Sequence, residues 1–250
     1  MDDHFVFYQS SVQPVEQLLL QHELGSLFTG KLFQGEIEPF TGLDIQEFGD
    51  QPLSLSAQQV GMLFMAPDES VVKVYKVREQ MDGAPAGVSV QSDNPFVQPE
   101  QPVEVIAYRG EHGGALQVRN LYVRRLILEQ DAPERFCTVA FGLMAVTAYK
   151  LEFDKITLFA AGCGPIEADD PDELVGFLVW PKLGFDAPLN AVDLQGADHL
   201  QHCRSVQDVM EIDPVWWAEH GTGREMTFDL SPGSRSWRIL LNYLYGALEG

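Results

Sequence analysis

The chain has 250 residues, a length that fits either one large α/β domain or two smaller ones. Its 16 Lys and Arg against 37 Asp and Glu leave a formal net charge of −21. That charge sets it against nucleic-acid phosphates and anionic membranes unless basic residues gather in a patch, and Arg124-Arg125 is the only basic pair.

With 45% hydrophobic and 10% aromatic residues the chain has material for a core, so its acidity belongs to the surface of a folded protein. The three cysteines, Cys137, Cys163 and Cys203, are an odd number without Cys-x-x-Cys spacing, which argues against a disulfide framework and a thiolate zinc site. Met1-Asp2-Asp3-His4 lacks the basic start of a signal peptide. No run reaches the ~18 apolar residues of a membrane span. A cytoplasmic location is expected, with export by a route that reads no cleavable signal left open.

In chain order, Val12 to Leu24 has the spacing of a short amphipathic helix, Ser54 or Ser56 suits the cap of a second running to Met65, and Val71 to Val77 alternates like a strand. Asp82 to Pro102, with Gly83, Pro85, Gly87, Pro95, Pro99 and Pro102, reads as a linker of turns and extended chain. Val103 to Tyr108 and Ala115 to Val123 form strands joined at His112-Gly113-Gly114. Asp131 sits where a cap would, Pro133 suits a first turn, and Phe136 to Leu151 is apolar on nearly every side, the mark of a buried helix. Lys155 to Ala161 follows as a strand, which makes a βαβ unit with a parallel pair. Later come a polar helical stretch at Leu200 to Met210, a strand at Met226 to Leu230, and a final helix from Ser234. That helix aligns Trp237, Leu240, Leu241, Leu244, Tyr245 and Leu248 on one face.

This order, with Asn120-Leu121-Tyr122-Val123 closing a strand and Pro181-Lys182-Leu183-Gly184-Phe185 following the βαβ unit, resembles the GNAT superfamily of N-acetyltransferases. The resemblance covers about Ala115 to Leu230. It implies an α/β (α+β) fold, a mixed twisted sheet with flanking helices. To this are added an N-terminal extension, residues 1–67, and an insertion at about 190–223 before the last strand of the domain at 68–250. The buried helix would be the family's third and Lys155 to Ala161 its fifth strand. The Gly-Phe string would mark where a helix ends and the sixth strand begins, and Met226 to Leu230 would be the seventh.

The resemblance also implies acetyl-CoA as cofactor, held beside Tyr122, Val123, Gln130 and Arg135. In the family the pyrophosphate rests on amides of a Gln/Arg-x-x-Gly-x-Gly/Ala loop opening the third helix. The matching stretch is Gln130-Asp131-Ala132-Pro133-Glu134-Arg135, with Pro133 and Arg135 in the glycine positions. The family's thiolate-protonating Tyr falls at Trp180, whose indole N–H is no acid. No catalytic residue is assigned.

Other chemistry is weaker. Cys163, between two glycines after a strand, has the setting of a nucleophile but no base beside it in sequence. His199 and His202 lack a third metal ligand, and Asp169, Asp170, Asp172 and Glu173 lack the order of a calcium loop, so no metal is expected. Adjacent Trp216 and Trp217 cannot both face one core, so one of them lines a pocket or an interface unless the insertion and the last helix cover both. Two functions are therefore expected. One is an acyl-CoA-dependent N-acyltransferase acting on a basic small molecule or a basic protein. The other is a non-catalytic GNAT-like protein (inhibitor, immunity factor, adaptor or bacterial effector) that binds a basic protein through its acidic surface. The string Trp180 to Asp186 is similar to GNAT-type domains of bacterial effector and phage-associated proteins.

Overall fold

The computed structural model describes residues 3–35, 37–45, 53–78, 83–112, 115–166 and 174–248. Helix α1 (Asp3–Phe7) runs through a π-helical turn (Tyr8–Val12) into α2 (Gln13–Gln21). Short strands β1 (Phe33–Gln34), β2 (Glu38–Pro39), β3 (Gly42–Ile45) and β4 (Leu53–Ser56) precede α3 (Ala57–Leu63). Then come β5 (Val71–Val77), β6 (Gly87–Asp93), β7 (Val103–His112), β8 (Ala115–Arg125), α4 (Phe136–Lys150) and β9 (Lys155–Cys163). Helices α5 (Gly176–Lys182), α6 (Val206–Ile212) and α7 (Pro214–His220) lead to β10 (Thr222–Asp229) and α8 (Arg235–Leu248).

The sheet has eight strands in the order β10-β9-β8-β7-β6-β5-β1-β2, and β3 pairs with β4 as a separate hairpin. Strands β5 to β8 form an antiparallel meander, whereas β8 and β9 run parallel. The chain is thus an α+β protein built on a mixed sheet flanked by helices.

The parallel pair follows from α4, since two strands of one direction need a crossover and the sequence supplies a helix apolar on all sides. Every residue from Thr138 to Tyr149 is buried. Leu121, Val123, Ile156, Leu158 and Ala160 of β8 and β9 share its core. Val12, Val15 and Leu19 of the N-terminal segment belong to that core as well. At Gly142 the approach of α2 is close: an added Cβ would lie 2.9 and 3.0 Å from the two Cδ atoms of Leu19.

Four expectations change. The proline- and glycine-rich stretch after Asp82 contains β6, an inner strand of the sheet. Its Val88 and Val90 are buried on one face, while Ser89 and Ser92 replace the apolar residues that mark a strand in sequence. The buried helix opens at Phe136, not at Asp131. Pro133 and Phe136 close a tight turn through Phe136 N–H to the Pro133 carbonyl (3.0 Å), and Arg135 within it has φ +71°, which stops a helix from running through. The polar helix begins at Val206, because Ser205 and Asp208 cap it reciprocally. Directly after α5, where the resemblance expects a sixth strand to begin, the chain makes none. Gly184 turns it at φ +95°, and only Asp186 bridges β10, at Thr227.

Candidate functional site: the parting of β8 and β9

Strands β8 and β9 pair in parallel from Asn120 with Lys155 to Val123 with Leu158. Past that point β8 is drawn to β7, where Arg125 opposes Glu104 across a bulge. Its continuation is fixed by Gln98 N–H to the Ile127 carbonyl (3.2 Å) and Glu129 N–H to the Phe96 carbonyl (3.0 Å). β9 goes the other way and pairs with β10 as far as Cys163. The two strands therefore separate beyond Val123 and Leu158.

An added Cβ on Gly223 of β10 would lie 3.0 and 3.1 Å from the carbonyls of Ala160 and Gly162, so those groups face β10. Ala161, between them, turns its own N–H and carbonyl to the side that β8 has left. Gly176 at the start of α5 approaches there, with an added Cβ 3.0 Å from Ala161 N and 3.1 Å from its oxygen.

On the sheet face turned away from α4, Tyr108 Oη lies 3.1 Å from Thr157 Oγ1, which donates to the Leu121 carbonyl (3.2 Å). Burial, and then the charge of Glu225, push the Tyr122 phenol upward; burial is also the main cause at Tyr108. Glu225 opposes Phe159 in register, and Phe159 is 55% exposed. Glu104 is buried, its Oε1 accepting from Ser89 Oγ (2.8 Å) and from Arg124 Nη1 (3.1 Å).

Of the residues that the GNAT resemblance singles out, Val123 stands at the last paired position before the parting and Tyr122 beside it on the opposite face. Gln130 is exposed in the turn leading to α4. Arg135 caps α4, but its guanidinium donates to the carbonyl of Ala247 in the last turn of α8. Pro133 has no N–H, the Phe136 N–H is used on Pro133, and Asp131 and Glu134 are exposed beside them. Trp180 is buried, edge-on to Phe141 (5.8 Å) and Phe185 (5.2 Å).

Cys163 is exposed on β9, and burial pushes the Cys137 thiol up to about 12. His199 pairs with Asp213 (3.0 Å), and no group of three His, Cys, Asp or Glu placed to hold a metal occurs among the described residues. The Asp169 to Glu173 run lies outside them. No helix of the described residues is long and apolar enough to cross a membrane.

A cavity of about 410 Å³ opens at the edge of β10, with Asp186, Arg204, Gln207, Thr227, Asp229 and Arg235 in its wall. Arg235 bonds Asp208 (2.6 Å) and Glu211 (2.9 Å), and its guanidinium holds the Asp208 carboxyl below the usual range. Sequence reading misses this wall because its residues come from four separate segments with no shared motif. No family model, no curated protein and no solved structure matches this chain.

Proposed function

We propose that the protein is a GNAT-like interaction protein that binds a basic protein partner and carries no acyl-CoA chemistry. The observation that carries this reading is the opening of α4. Where a pyrophosphate would need backbone donors and positive charge, Pro133 lacks an amide hydrogen and the Phe136 N–H is spent on a turn. The one cation of the loop, Arg135, is committed to the end of α8, and Asp131 and Glu134 stand exposed beside it. These residues do not fit a polyphosphate. The net charge of −21 favours fast, salt-sensitive association with a basic partner.

Affinity capture from lysate at low salt tests the proposal, followed by recombination of the purified partner. The expected partner is a basic protein that is released as salt rises. A partner without basic character, or one held equally at high salt, contradicts it.

One observation favours a second reading, an N-acyltransferase with a basic acceptor. β8 and β9 separate just past Val123, one of the residues beside which the GNAT resemblance expects acetyl-CoA to be held, and Tyr108, Tyr122 and Glu225 lie on the adjoining face.

A further inference from the structure

The insertion ends in a corner where α6 meets α7. Ile212 closes α6, Asp213 caps α7 by accepting the Trp216 N–H (2.9 Å), and Pro214 and Val215 open that helix. Ile212 is 49% and Val215 65% exposed, and Pro214 is exposed between them. Trp216 lies half-buried beside them, tilted over the His220 ring at 5.1 Å. Of the four tryptophans, Trp180, Trp217 and Trp237 are buried, which leaves Trp216 alone with an accessible face.

This exposure is not the fraying of a loose segment. On the other side of α7, Trp217 is fully enclosed, its Nε1–H donates to the Phe177 carbonyl (2.9 Å), and the Arg224 guanidinium sits 5.3 Å from its ring centre. The helix is anchored, so the apolar corner is held at the surface. Around it stand Glu211, Asp213 and Glu219. Arg235 reaches Glu211 but also bonds Asp208, and His199 pairs with Asp213, so the corner keeps a surplus of negative charge. An anchored aromatic and aliphatic centre inside a charged rim is the anatomy of a protein-binding surface.

We infer that the α6–α7 corner is the docking surface for the basic partner, which presents an apolar side chain flanked by lysines or arginines. The inference rests on the interaction function proposed above and names its surface. Charge selects the occupant: a second copy would bring another −21 and an identical acidic rim, and an anionic membrane is repelled in the same way.

The probe is a short amphipathic peptide made only of leucine and lysine, titrated into the full chain at low salt while tryptophan emission is recorded. Binding is expected to shift the emission to the blue, and the shift is expected to vanish in Trp216→Phe. In the double variant Ile212→Ser, Val215→Ser the affinity is expected to fall at least about tenfold, with the circular dichroism and melting of the parent retained. Binding that leaves the emission unchanged and ignores the double variant would overturn the corner as the surface while leaving a basic partner in place. Binding of a leucine-serine peptide as tight as that of the leucine-lysine peptide would overturn the basic-partner function itself. Self-association that the double variant abolishes, seen by sedimentation, would assign the corner to a second copy and overturn the inference.

Discussion

Gly162 and Gly196 share a left-handed backbone, at φ +100° and +85°, yet differ in surroundings. At Gly196 no atom lies within 4 Å of an added Cβ, whereas at Gly162 the Cβ would land on the Leu174 carbonyl that brings α5 onto β9. Gly196→Ala is expected to destabilise by about 1–2 kcal/mol, the cost of the backbone conformation alone. Gly162→Ala is expected to exceed it by at least about 2 kcal/mol, because the end of β9 and the start of α5 must separate. Urea denaturation of the pair measures the difference; equal losses would mean that the approach of α5 is not tight.

Asp208 and Asp193 also have consequences at this scale. The Arg235 hydrogen bond holds Asp208 below its ordinary range. Asp193 is likewise held low, by the backbone N–H of Asn190 and by Arg224 against an opposing desolvation. A carboxyl whose folded pKa is lowered adds stability that is complete above its unfolded value of about 3.9 and is lost as pH falls through the folded value. Asp208→Asn and Asp193→Asn are therefore expected to lower the melting temperature at pH 7 and to flatten its fall below about pH 4. Melting curves across pH 2–7 check this, and a variant that keeps the parent's acid slope would remove the carboxylate from the cause.

Among the elements, α4 holds the molecule together. It was legible in sequence because sixteen residues without a polar face can only be interior, and the strands on either side follow from its crossover. The start of α4 was not legible, since Asp131 and Pro133 have the residue types of a helix opening and only the conformation of Arg135 shows that the chain turns there first. β6 is hidden for a related reason: Ser89 is buried in a hydrogen bond made across the sheet to Glu104, which no local pattern displays. The Asn120-Leu121-Tyr122-Val123 string marks a strand in sequence, but β8 runs on to Arg125, and its parting from β9 past Val123 shows only in the pairing. The roles of Thr157, Glu225 and Glu104 depend on register and lay beyond sequence.

The first 67 residues contribute Leu19 and Val60 to the core around α4, and β1 lies beside β5. Leu19→Ala is expected to cost about 2–5 kcal/mol, the range for a fully buried leucine. A chain beginning at Asp68 is expected to lose cooperative melting, because Gly142 and its neighbours on α4 would face water. A truncated chain that melts sharply near the parent temperature would show that the extension is dispensable.

For the whole molecule the −21 charge has two effects. It opposes the folded state by self-repulsion, so added salt at pH 7 is expected to raise the melting temperature by several degrees, the reverse of a protein stabilised chiefly by surface ion pairs. For the proposed basic partner, the distribution of that charge matters more than the total. Acidic residues frame both the opening of α4, where they oppose a polyphosphate, and the α6–α7 corner, where they surround an apolar centre.

The central proposal, that the protein binds a basic partner and does not carry out acyl transfer, is tested most directly by melting it with and without millimolar acetyl-CoA. A ligand present at a hundredfold excess over its Kd stabilises by about 2.7 kcal/mol, a rise of about 5–10 °C for a chain of this size. The expected result is no change in melting temperature; a rise of that order, saturating with acetyl-CoA, would contradict the claim and restore the transferase.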